Sequence, residues 1–230
     1  IIKQEGGGSD AALFGIQQYP TTSIIALMEQ LQSLEKEWIE KAEQNQWIIP
    51  KARFGLFPAQ ADGDEVIVYE SESRDKELGR FDFDLCVGKG RKDKFSIGQY
   101  FHSVESGQID AIGLQITTAG AGVEEGIKSL KEQNESESSL YLQGLSDRVA
   151  EDMAEYIHQL LRTRAGYKKE NRGQRYSPGY PALTNLKGNH IIWNALGAED
   201  LGVTLTVANE FFPPSTTAAV ICFHKDAGYN

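Results

Sequence analysis

Cysteine is almost missing from this chain: Cys86 and Cys222 are the only two in 230 residues. Two distant thiols cannot staple a small secreted scaffold, so a reducing, cytoplasmic setting is the default expectation. Long apolar runs are also absent. No stretch approaches the roughly 18 residues that a membrane span requires, and no membrane partner is expected. Positive charge is scarce, with 23 Lys and Arg against 33 Asp and Glu and a net charge of −10. Nucleic-acid binding leans on neutralising phosphates, so that class is disfavoured. Gly88-Lys-Gly90 and Gly120-Ala-Gly122 are isolated pairs, not a glycine-rich loop after a first strand, which argues against a nucleotide-fold methyltransferase. A Gly-x-Ser-x-Gly elbow is lacking. Cys222-Phe-His224 has no companions at zinc spacing. Ile1-Ile2-Lys3 opens neither a signal peptide nor an initiating Met, and the sequence reads as a fragment or trimmed piece.

What is present reads as an α+β chain. At 40% hydrophobic residues it can bury one good core. Gly6-Gly7-Gly8-Ser9 suggests a flexible leader over residues 1–20. Ile24, Leu27, Met28, Leu31, Leu34, Trp38, Ile39 and Ala42 then recur at helical spacing, which predicts an amphipathic helix over 22–46. Pro50 ends that segment. Strands are expected at Glu65–Tyr69, through Phe81, Phe83, Leu85 and Val87, at Ala111–Thr118, through Val203, Leu205 and Val207, and at Thr217–Phe223. Val123 to about Lys131 reads as a helix. Leu142, Leu145, Val149, Met153, Ile157 and Leu160 mark a long one, and His190–Leu196 a short one. Helices do not alternate with strands in the βαβ rhythm. The expected fold is therefore a single domain with a mostly antiparallel twisted sheet flanked by helices, its core over 50–230.

One loop stands out chemically. Arg175-Tyr-Ser-Pro-Gly-Tyr-Pro-Ala182 combines a fixed cation, two φ-locked prolines, a permissive glycine and two aromatic rings. A stiff loop of this kind suits a planar base plus a carboxylate, through stacking and bidentate pairing. An ordinary surface turn accounts for the same residues about equally well.

Arg-x-x-x-Gly-Tyr-Pro-Ala resembles the signature of the activation domain of cobalamin-dependent methionine synthase. Three further parts of the chain are similar to that family in the same order: Phe54-Gly-Leu-Phe-Pro-Ala running through Gly63-Asp64 into a strand, the helix around Ala150-Glu-Asp-Met-Ala-Glu-Tyr-Ile-His158, and the closing Gly202-Val-Thr-Leu-Thr, Pro213-Pro214-Ser215, Phe223-His224 and Tyr229. The resemblance implies an S-adenosylmethionine-binding domain, residues 21–230, that supplies the methyl group for reductive methylation of cob(II)alamin. Carried over onto this sequence, it implies Glu151, Arg175, Ser177, Tyr180 and Tyr229 as ligand-binding residues. Asp10 is implied as an early carboxylate, where Ser9 fits equally well. It implies no catalytic side chain, because positioning supplies most of the rate. Cobalamin would be held by a partner module, fused or separate, since Asp-x-His-x-x-Gly is absent here. A flavodoxin-like electron donor and a monomeric domain are further implications. The alternative is a stand-alone domain of the same fold with a binding or regulatory role.

Two departures and a rival complete the reading. Leu183-Thr184-Asn185 stands where most members have Cys-Pro-Asp, which questions the loop's exit geometry. The signature loop, Pro213-Pro214 and Tyr229 are expected to converge on one concave face. Glu151, Glu155 and His158 share a helical face and match Glu-x-x-His of di-iron bundles, but the strand-rich remainder offers no second such helix. On that account His158 is expected to matter little for ligand binding.

Overall fold

The computed structural model describes residues 15–18, 36–87, 93–167 and 172–228. Asp10, Tyr229 and most of the leader lie outside the described residues, as does the helix expected over 22–46 except for its last part, α1 (Lys36–Gln44).

The centre is one antiparallel sheet. Its strands are β1 (Gly15–Gln18), β2 (Lys51–Asp62), β3 (Glu65–Tyr69), β4 (Glu77–Asp82), β7 (Asp110–Thr118), β8 (Gln174–Tyr176) and β11 (Thr216–Cys222). They lie in the order β4-β3-β2-β7-β11-β8, with β1 pairing along β2. Two short hairpins stand apart: β5 (Cys86–Val87) with β6 (Lys94–Phe95), and β9 (Thr204–Leu205) with β10 (Phe211–Phe212).

Several elements depart from the sequence reading. The long strand β2 was disguised by Pro58. That residue falls between the stretch paired to β1, ending at Leu56, and the stretch paired to β3, beginning at Ala59. On that edge there is no ladder for a missing N–H to break. The alternation through Val207 yields only a two-residue strand, and Val207 itself is fully exposed at the hairpin tip. Leu85 is exposed as well, in the connection after β4. The loop read from Arg175 begins inside β8.

Helices cover both faces. On one side lie α2 (Gly122–Glu132) and α3 (Ser136–Arg164); on the other lies α4 (Lys187–Leu196). Leu142, Leu145, Val149, Met153, Ile157 and Leu161 form the buried stripe of α3. Each such side chain contributes about 1.5–3 kcal/mol on removal from water. Strand alternation divides the core cleanly. Ile112, Leu114 and Ile116 of β7 join the cluster under α4, with Phe57, Tyr176, Ile192 and Val220. Phe54, Leu56, Ile221 and Phe223 face Met153, Ile157 and Leu161 of α3.

The other β7 residues fix the helix in rotation. Gly113 has no room for a side chain, since a Cβ there would lie 3.0 Å from that of Ile221. Thr117 Oγ1 donates to the carbonyl of Ala150 at 2.9 Å, and Gln115 Nε2 donates to the carbonyl of Ala154 at 3.2 Å. These buried bonds sit one helical turn apart. They dictate which residues of α3 turn toward β8.

Candidate functional site

β8 is an edge strand of three residues, registered so that Tyr176 opposes Val220 and Arg175 opposes Ile221. Side chains alternate along it. Tyr176 is fully buried on the α4 side, which sends Arg175 toward α3. The entry to β8 demands glycine: Gly173 has φ of +86°, and a Cβ there would lie 2.7 Å from the carbonyl oxygen of Cys222.

Arg175 meets two carboxylates of α3. Its Nη2 lies 3.6 Å from Glu151 Oε2 and its Nε 3.6 Å from Glu155 Oε2. Glu155 also faces His158, whose Nδ1 is 3.7 Å away. That histidine, chiefly, then the Gln159 amide and then Arg175 hold the Glu155 carboxyl at about 2, against an ordinary 4.5.

Arg175, Glu155 and His158, but not Glu151, border a cleft of about 590 Å³. Its α3 wall is Glu155, His158 and Arg162, its floor is the run from Gly173 to Arg175, and its far wall is Lys225 to Gly228. The far wall is held from a distance. Tyr100 stacks on His224 with ring centres 4.3 Å apart, and its hydroxyl donates to the carbonyl of Asp226 at 3.0 Å. His224 Nδ1 in turn accepts the Asp226 amide at 3.2 Å. Burial, the largest cause, pushes the His224 pKa down, in keeping with a ring that accepts at that nitrogen.

The signature loop follows directly. Gly179 adopts φ of +92° and its amide donates to the carbonyl of Leu183 at 2.8 Å. Ser177 is half-buried, and its carbonyl accepts the Tyr180 amide at 3.2 Å. Tyr180 points outward, 61% exposed. The departure at Leu183-Thr184-Asn185 has a local anchor: Asp84 Oδ2 accepts both the amide and the hydroxyl of Thr184 at 2.7 Å. Those two bonds hold the Asp84 carboxyl below its usual range.

The structure thus brings Glu151 and Arg175 together and adds Glu155, His158 and the Lys225–Gly228 wall. Glu151 touches Arg175 from outside the cleft lining, and Ser177 and Tyr180 sit on the adjoining loop, also outside it. Asp10 and Tyr229 are not among the described residues. Pro213-Pro214-Ser215 is not part of the cleft lining. Ser215, just before β11, is bonded to Ser146 and Asp147 of α3, the latter one turn before Glu151. That places it about 20 Å along the strand from the partner of Arg175. Tyr100 left no signal in the sequence, because its partner Asp226 is 126 residues away.

Among the described residues, no group of three or more His, Cys, Asp or Glu side chains is placed to hold a metal ion. No helix among them is long and apolar enough to cross a membrane.

Comparison with known proteins places this geometry. The structure superposes on the crystal structure of the MetH reactivation domain bound to AdoHcy with a TM-score of 0.80, covering 94% of this chain and 80% of that one at 20% identity. Methionine synthase of Mycobacterium tuberculosis is 25% identical over 76% of this chain, which spans 16% of that protein's length. The family model for the activation domain of vitamin B12 dependent methionine synthase matches residues 22–230. By the extent of that match, the chain belongs to the vitamin B12 dependent methionine synthase activation domain family.

Proposed function

We propose that this chain binds S-adenosylmethionine and presents its methyl group for the reductive methylation of cob(II)alamin, as the reactivation domain of a cobalamin-dependent methionine synthase. The observation that carries the reading is the placement of Arg175 against Glu151 and Glu155 beside an open cleft. An amino-acid end carries one carboxylate and one ammonium. Arg175 matches the first with a planar fork, and the α3 carboxylates match the second. The AdoHcy bound by the MetH relative is a ligand of that zwitterionic type.

The residues of this chain bind and orient. Arg175 and Glu151 would fix the amino-acid end, Ser177 and Tyr180 would meet the adenosyl end from the signature loop, and Tyr229 and Asp10 complete the set carried by the family pattern. Such positioning converts an encounter into a unimolecular approach, which is most of what methyl transfer from a sulfonium requires. The cleft walls are charged and carry no Asp-x-His-x-x-Gly segment, so these residues do not fit cobalamin as a resident group. A partner module, fused or separate, would hold the corrin and supply the nucleophile. A flavodoxin-like protein would supply the electron, and the setting would be cytoplasmic.

Calorimetry on the chain should detect S-adenosylmethionine and adenosylhomocysteine and show no response to ATP. Mixed with a cobalamin module and a one-electron reductant, the chain should then yield methylcobalamin, read by absorbance. Binding of ATP alone would refute the ligand assignment. Normal ligand binding with no methylcobalamin would leave the domain with a binding or regulatory role only.

A further inference from the structure

Arg175 is poorly placed to hold a ligand carboxylate alone. Glu151 and Glu155 each lie 3.6 Å from its guanidinium, so one positive charge already faces two negative ones. An amino-acid end brings an ammonium that answers one of those carboxylates, and a carboxylate of its own. Two positive charges then stand against three negative. Like charges this close oppose binding, and a further cation is needed to offset them.

The cleft lining supplies one. Arg162 is buried and already engaged, and Asp226 on the far wall matches its charge. Lys225 is exposed on that far wall and, among the described residues, forms no ion pair or hydrogen bond. Its root is fixed although its side chain is not. The Ala227 amide donates to the His224 carbonyl at 3.1 Å, which closes a turn with Lys225 at its second position. Tyr100 clamps the same turn, stacking on His224 and donating to the Asp226 carbonyl. From that corner a flexible four-carbon stem carries a compact ammonium with three donors. Such a group suits a carboxylate that the planar fork of Arg175 has already oriented.

We infer that Lys225 is a ligand-contacting residue that shares the α-carboxylate of the bound adenosyl amino acid with Arg175, and so selects ligands that carry this carboxylate. The inference rests on the ligand class proposed above and adds a residue that lies outside the signature motif.

The test uses the whole chain and two calorimetric probes, adenosylhomocysteine and its decarboxylated analogue S-adenosyl-3-thiopropylamine. Lys225→Gln should weaken adenosylhomocysteine about tenfold, the scale of one charge-assisted hydrogen bond. The analogue keeps the ammonium and lacks the carboxylate, so native and variant should bind it within about twofold of each other. Lys225→Arg restores the charge and should recover most of the affinity for adenosylhomocysteine, whereas Lys225→Glu should lose more than Lys225→Gln. Because the ammonium is exposed, the gap between native and Lys225→Gln should narrow as salt rises toward about 1 M. Melting curves should coincide for all four proteins, since substitution of an exposed side chain seldom disturbs a fold. A wall merely loosened by substitution would weaken both probes alike and would not answer to restored charge. Equal loss against both probes therefore overturns the assignment, as does Lys225→Gln binding adenosylhomocysteine within about twofold of native. Failure of the native chain to bind adenosylhomocysteine at all would overturn the ligand class and this inference with it, a distinguishable result.

Discussion

Arg175 and Glu155 sit 3.6 Å apart although the first belongs to an edge strand and the second to the long helix across the sheet face. The guanidinium is 20% exposed and the carboxylate about half exposed. A pair this wet contributes on the order of 0–1 kcal/mol to folding. The consequence is that Arg175 can be altered without losing the fold. Arg175→Lys should shift thermal unfolding little, yet weaken S-adenosylmethionine binding tenfold or more, because a point charge cannot replace a planar fork. Calorimetry paired with a melting curve separates the two effects.

Acid should loosen the same cluster. The folded-state pKa of Glu155 is depressed, so its pairing stabilises the fold fully above the ordinary 4.5 and is lost as pH falls toward about 2. Carboxylate carbon NMR should follow Glu155 titrating near the lower value. In His158→Ala the titration should move up toward the usual range. A Glu155 that titrates normally in the native chain would contradict the charge pairing.

The loop exit offers a separate check. Asp84 accepts two bonds from Thr184, so Asp84→Ala should destabilise the protein by about 1 kcal/mol, below the roughly 1.5–3 of buried bonds to a charged group because this contact is largely solvent-facing. Its contribution is likewise present above the ordinary carboxylate range and lost below it, since the folded pKa is lowered. Ligand affinity should fall in the same variant, because the loop that bears Ser177 and Tyr180 loses its anchor.

Tyr100→Phe removes the bond to the Asp226 carbonyl and keeps the ring on His224. Affinity should fall several-fold with little change in melting temperature, and hydrogen exchange at residues 225–228 should quicken. Because the His224 pKa is lowered from 6.5, protonating it costs the Asp226 bond, and that wall should loosen as pH falls below neutrality. Exchange rates that are flat between pH 7 and 5 would count against this clasp.

Much of the architecture was legible because its periodicities were unmixed. Glu65–Tyr69 is a short unbroken β-branched and aromatic run after a Gly-Asp turn and became β3 with the same bounds. The α3 stripe keeps its helical spacing over about five turns, Leu142 to Leu161. β2 was not legible, since a proline inside a paired strand is excluded by local rules and permitted only by the gap between two neighbours. Nor was β8, whose three residues carry no pattern until β11 lies beside them. For the site, Glu151 and Arg175 could be named from motif likeness alone. Tyr100 and the shared carboxylate of Glu155 depend on tertiary distances, and no spacing along the chain encodes those.

The bonds from Gln115 and Thr117 end on main-chain oxygens of α3, not on its side chains. A peptide oxygen is present whatever residue stands there. On the helix side the indexing therefore uses atoms that mutation of α3 cannot delete, and Ala150 and Ala154, both buried, need only stay small. Substitution can proceed widely over the rest of α3, provided its apolar stripe persists, while the angular phase of Glu151, Glu155 and His158 is preserved. A site built this way tolerates extensive sequence divergence around a constant geometry.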